Sequence, residues 1–186
     1  MKLILLRCPN CGEPLNPAND DVVIACSNCH TPVAISVSGP QEMTVRYAVP
    51  GNKAASGKRW FPFWVFEGWV RILRRETQGG SSSGHKESEK FWGASRRLYV
   101  PAWDLDLHNA QEIGSQLIQE QPEIRFVDIP EKTQLIAATV TPKDAGKLLE
   151  FVILAIEARR RDWLKDLEFD LEIKDPELWG MPEGTF

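Results

Sequence analysis

From residue 141 onward, apolar side chains recur at helical spacing. Ala145, Leu148, Leu149, Val152, Ile153 and Ile156 form an i, i+3, i+4, i+7 stripe. Thr141 stands where a cap belongs, Pro142 at the first helical position, and Asp144 approximates a capping box. The pattern predicts a helix from Pro142 to about Lys165, with Arg159–Arg161 complementing the dipole at its solvated end. A second stripe, Ala110, Ile113 and Leu117, predicts a helix ended by Pro122, with Gly114 permitting close packing. Downstream the period switches to two. Leu167, Phe169, Leu171 and Ile173 alternate with Glu168, Asp170, Glu172 and Lys174, which predicts a half-buried strand broken by Asp175-Pro176. The tail from Leu178 to Phe186 reads as a short last edge strand. Shorter strands are expected over residues 33–37, 43–49, 124–129 and 135–140.

Residues 60–69, WFPFWVFEGW, fit neither pattern cleanly. Phe61, Phe63 and Val65 fall on one face of a strand and Trp60, Trp64 and Phe66 on the other, so both faces are apolar. This predicts one long central strand from about Arg59 to Arg75, or a strand with a bend at Gly68; the competing reading is an exposed aromatic stripe. Residues 79–90, GGSSSGHKESEK, read as a flexible loop. Residues 91–103 then resume as a strand, and pairing with 59–75 would make an extended hairpin. Two helices on a mostly antiparallel sheet make this an α+β fold.

The net charge of −4 argues against a generally nucleic-acid-seeking chain. The average hides polarity. Residues 53–97 carry 10 basic and 4 acidic side chains, whereas residues 98–186 carry 9 basic and 18 acidic. A basic island therefore sits on an acidic body. Its members near the aromatics, Lys58, Arg59, Arg71, Arg74, Arg75, Arg96 and Arg97, together with Trp60, Trp64 and Trp69, form a candidate binding surface; Lys53 belongs to the same run. The loop PGNKAASGKR (residues 50–59) resembles a phosphate loop only superficially: five residues separate Gly51 from Gly57, and Arg59 stands where the magnesium-binding hydroxyl belongs.

All four cysteines lie in the first thirty residues, as CPNC (Cys8, Cys11) and CSNC (Cys26, Cys29). Each CxxC turn aims two thiolates at one point, and two such turns supply the four soft ligands of a tetrahedral zinc site. Gly12 suits the turn after Cys11, because glycine tolerates positive φ. His30 follows Cys29, but four thiolates already close the site, so a surface or supporting role fits it better. A reducing compartment disfavours two disulfides, and a redox dithiol normally uses one CxxC at a helix start. The stretches CPNCGEPLNP and VVIACSNCHTPV, with short strands expected at residues 2–6, 22–25 and 33–37, resemble the zinc-ribbon family. The resemblance covers residues 1–38. It implies one structural Zn2+ held by Cys8, Cys11, Cys26 and Cys29 in a rigid module, and says little about activity. The expected organisation is a zinc ribbon (1–38) followed by an α+β domain (39–186).

No targeting signal is evident in MKLILL, and no apolar run approaches a membrane span, so the expected location is cytoplasmic. In a strand, Asp104, Asp106 and His108 of DLDLH would share a face, as an acid/base cluster could. The helix pattern begins right there, so Asp104 or Asp106 reads instead as its cap, and no catalytic residues are assigned. The expectation is a non-enzymatic adaptor or accessory subunit that binds a protein partner in a larger assembly. A nucleic-acid-binding role for the basic aromatic hairpin 53–97 is the alternative. Peripheral membrane-surface binding through the same Trp, Phe, Lys and Arg residues ranks third.

Overall fold

Residues 6–51, 58–78, 82–128 and 134–186 are described in the computed structural model. The N-terminal part is a three-stranded antiparallel sheet of β1 (Val23–Ala25), β2 (Pro32–Ser36) and β3 (Gly39–Glu42). Beyond it come β4 (Val45–Pro50), β5 (Arg59–Gln78), α1 (Ser82–Trp92), β6 (Arg96–Pro101) and α2 (Leu107–Glu120). Then follow β7 (Ile124–Val127), β8 (Gln134–Leu135), α3 (Pro142–Ala158), β9 (Trp163–Ile173) and β10 (Glu177–Pro182). The second sheet runs β6-β5-β10-β4-β7, with β8 and β9 also paired to β5. All its pairings are antiparallel except β4 with β10 and β5 with β8, so the architecture is α+β with mostly antiparallel strands.

The aromatic run forms the first half of β5, the strand to which β6, β8, β9 and β10 all pair. Phe63, Trp64, Val65 and Phe66 are all buried, and Trp60 is fully enclosed. Phe61 and Phe63 join Trp103 and Phe186 in a knot of edge-to-face rings 5.0–5.6 Å apart. Trp60 meets Tyr47 edge-on at 5.2 Å. Pro62 is tolerated in this central strand because its carbonyl, and so its missing N–H, faces Ala102 just past the end of β6: Ala102 N donates to Pro62 O, and Ala102 O takes its donors from Thr139 N and Val140 N instead. The expected hairpin partner is confirmed as β6, in register from Phe63 opposite Pro101 to Gly68 opposite Arg96. At Gly68 the neighbours change: β6 ends on one edge of β5, while on the other edge, the one that carries β10, β9 runs along the far half. A Cβ on Gly68 would lie 2.1 Å from the Glu172 carbonyl oxygen, so only glycine fits this crossing.

The helices start where their caps predict. Asp106 accepts from Asn109 N to begin α2, and Thr141 accepts from Asp144 N to begin α3 with Pro142 at its first position. Ala145, Leu149, Val152, Ile153 and Ile156 bury the expected stripe, each large side chain contributing roughly 1.5–3 kcal/mol of apolar transfer.

Four expectations are corrected. Residues 82–90 of the expected flexible loop form α1 together with Phe91 and Trp92, the start of the expected strand 91–103, and the helix buries Trp92. Helix α3 ends at Ala158 rather than near Lys165, and the chain turns at once into β9. The tail does not form an edge strand: β10 lies between β5 and β4, with Leu178, Trp179 and Met181 buried. The strand expected over 135–140 is two residues long, followed by a single bridge between Val23 and Ala138. The N-terminal sheet runs through β3 to Glu42. The expected strand at residues 2–6, apart from Leu6, lies outside the described residues, as do Lys53 with the interior of the 50–59 loop and the end of the 124–129 strand.

Candidate metal centre

Two turns of the same design bring the cysteines together. In the first, Gly12 N donates to Cys8 O (2.9 Å) and Cys8 N to Glu13 O (2.9 Å). In the second, His30 N donates to Cys26 O (2.9 Å) and Cys26 N to Thr31 O (3.0 Å). Gly12 and His30 close their turns in the same left-handed conformation, at φ 75° and 60°. The Gly12 expectation therefore holds, and exposed His30 occupies the matching position in the second turn, its backbone closing the loop while four thiols already converge.

The sulfurs of Cys8, Cys11, Cys26 and Cys29 all lie within 4.8 Å of one another. Cys8 Sγ is 3.6 Å from Cys29 Sγ, and Cys11 Sγ is 3.6 Å from Cys26 Sγ. These separations far exceed a disulfide bond of about 2.0 Å. They approach the about 3.8 Å that separates sulfurs around a tetrahedral metal with 2.3 Å bonds. The donor set thus fits a soft cation. Cys8 and Cys26 are buried beside Leu15, Ile24 and Val33, while Cys11 is exposed.

The electrostatics within the cluster are uneven. Burial pushes the Cys8 thiol up to about 11, against its ordinary value of 9.0. The Thr31 side chain, 3.3 Å from Cys29 Sγ, and the Thr31 backbone bring Cys29 down to about 6. A bound cation is what would ionise the buried thiols together. Asn10 Nδ2 donates to Thr31 Oγ1 (2.8 Å) and so ties one turn to the other. Asn10 and Thr31 are supporting residues that spacing rules did not single out; nothing but their place inside and just after a CxxC marks them.

The candidate binding surface is dispersed. Trp60 and Trp64 are 0% and 1% exposed and belong to the core, which resolves the two readings of the aromatic run; Trp69 alone of the three reaches solvent. Arg59 pairs with Glu183, Arg71 with Glu172 and Arg74 with Asp166. Arg75 is buried between Glu157 and Asp162. Arg96 donates to the Phe91 carbonyl (2.8 Å) with its guanidinium 3.9 Å from the Phe91 ring centre, and Arg97 donates to the Pro122 carbonyl (2.8 Å). Lys58 is exposed. The basic island is therefore largely answered from within the chain, since β5 arginines meet acids of the C-terminal half. Asp106 of DLDLH is occupied as the α2 cap.

Among the described residues, no helix is long and apolar enough to cross a membrane. Compared with protein-family models, curated proteins and solved structures, the chain finds no match in any of the three.

Proposed function

We propose that Cys8, Cys11, Cys26 and Cys29 hold one structural zinc ion as a zinc ribbon, and that the protein is a non-enzymatic accessory subunit that binds a protein partner within a larger assembly. The convergence of four thiols from two matching turns carries the metal reading. Four thiolates would complete a tetrahedral shell and leave no position for water or substrate, which suits a structural ion. The partner reading draws on apolar side chains left in solvent on α2 and α3, namely Leu107, Phe151 and Leu154, and on Trp69 and Trp163. Because Arg59, Arg71, Arg74 and Arg75 are engaged with carboxylates, protein is favoured over nucleic acid as the partner.

Two measurements test this. Elemental analysis of the purified chain should give one zinc per molecule, lost in Cys26→Ser; iron in its place, or full retention in the variant, would overturn the zinc assignment. Gentle nuclease-treated purification from the native cell should retain a stoichiometric protein partner. Partners that disappear with nuclease would turn the reading to nucleic acid.

A further inference from the structure

The three-stranded N-terminal sheet is a wall between two cores. Along β1, Val23 packs into the main core while Ile24 packs with Cys8, Cys26, Leu15 and Val33 on the thiol side. In β2 the same alternation places Val33 on the thiol side and Ala34 against the main core. The segment between β8 and α3 repeats it again: Ala137 touches the thiol-side cluster and Ala138 lies in the main core.

Main-chain bonds fasten this segment on both sides. Val22 N and Val23 N donate to Ala138 O (2.7 and 3.2 Å), and Ala138 N donates to Val23 O (2.8 Å). On the other side, Thr139 N and Val140 N donate to Ala102 O (2.7 and 3.2 Å), while Trp64 Nε1 donates to Val140 O (2.7 Å). The next residue, Thr141, caps α3. The strap from Ile136 to Val140 is thus held by β1 on one edge and by the core on the other. Among the described residues the thiol side buries five hydrophobic residues, two of them ligand candidates, a cluster small enough for a metal staple to matter to it.

We propose that metal in the thiol cluster latches this strap: when the metal leaves, β1 lets go of Ala138, and the strap loosens up to the α3 cap while the β5–β6 core persists. The inference rests on the reading of the four thiols as a metal site. Coupling of this kind is reciprocal, so the strap in turn supports metal affinity.

The test is amide hydrogen exchange on the full chain, zinc-loaded and then stripped by chelator under reducing conditions. Stripping should speed exchange at Ala138, Thr139 and Val140 on the order of tenfold, together with the cysteine turns, and leave Trp64–Phe66 unchanged. Strap amides that stay slow while the turns open would overturn the latch and leave the metal site standing. Uniform acceleration everywhere would overturn it in favour of whole-chain unfolding, and a chain that takes up no zinc would overturn both readings. As the reciprocal arm, Ala138→Pro removes the donor to Val23 without touching a thiol. It should weaken zinc binding about tenfold in chelator competition, and unaltered affinity would contradict the latch. If that variant fails to fold, the exchange comparison decides alone.

Discussion

Arg75 and Glu157, 82 positions apart in the chain, meet with neither side chain reaching solvent: Arg75 Nε donates to Glu157 Oε2 at 2.8 Å. The same guanidinium donates to both oxygens of Asp162, each at 2.6 Å. The second oxygen of Glu157 accepts from Trp92 Nε1 at 2.9 Å and from Arg160 Nε at 2.8 Å. One buried carboxylate therefore joins α1, β5 and α3 to the turn that leads into β9. Glu157→Ala would leave the Arg75 Nε–H and the Trp92 indole N–H buried without their acceptor, while Asp162 still pairs the guanidinium. The expected cost is about 2–5 kcal/mol in denaturant unfolding, from about 1–3 kcal/mol for each buried donor left unsatisfied. A cost below about 1 kcal/mol, the range of exposed pairs, would mean that the cluster is open to water.

The same cluster sets an acid dependence. Burial disfavours the ionised form of Glu157, but Arg160, Trp92 and Arg75 outweigh it and hold the carboxyl below its ordinary 4.5. Arg75 likewise holds Asp162 below its ordinary 3.8. A carboxyl with a depressed folded pKa contributes stability that is fully present above its unfolded value and is lost as pH falls through the folded one. The stability difference between the native chain and Glu157→Gln should thus be constant above about pH 5 and shrink as pH falls below about 4.5. Comparing the two chains at each pH cancels the acid release of metal, which both share. A difference that grows on acidification would refute the assignment of Glu157 as an ionised partner.

What was legible in the sequence was what local chemistry decides. Thr141-Pro142 and Asp106 capped helices where a hydroxyl or carboxylate could reach a free N–H two or three residues on. The alternation from Leu167 to Ile173 is now part of β9, and the paired CxxC turns converge. What was not legible depends on partners far along the chain. HKESEK composition gives α1 no reason to form alone; Trp92, bonded to Glu157 65 residues on, anchors it. Helix α3 stops early because Glu157 and Asp162 must both reach Arg75, and a continuing helix would carry Asp162 past it. Residues 178–181 were too short to show that strands cover both edges of β10. The basic island announced its sign, but not that its answering acids lie in the same molecule.

The aromatic run divides sharply into interior and surface, and paired substitutions can read that division. Trp64 is buried and its Nε1 donates to the Val140 carbonyl at 2.7 Å, so Trp64→Ala opens a large cavity and strands an acceptor. A loss of about 3–5 kcal/mol is expected. Trp69, five residues on in the same strand, is 47% exposed, and Trp69→Ala should cost about 1 kcal/mol or less. Chemical denaturation of both variants checks this, and equal losses would mean that Trp69 is covered in solution. If Trp69→Ala leaves stability intact but releases a co-purifying protein, it lies in that protein's interface.

His30 and Gly12 fill matching corners of the two cysteine turns, yet only one of them is glycine. His30 holds φ 60° with a Cβ present, a conformation that costs a non-glycine residue about 1–2 kcal/mol. Its side chain is exposed, so His30→Gly relieves the backbone while giving up little contact. Glycine's greater freedom in the unfolded chain offsets part of that relief, leaving an expected gain of about 1 kcal/mol in the metal-loaded protein. Gly12→Ala probes the other corner. A Cβ there meets nothing within 4 Å, so any loss is conformational rather than steric, and about 1 kcal/mol is expected. Both variants keep all four thiols and should keep their metal, which elemental analysis verifies alongside unfolding curves. If His30→Gly instead weakens metal retention while Gly12→Ala does not, the imidazole acts on the metal site directly, and the equivalence of the two turns ends at the backbone.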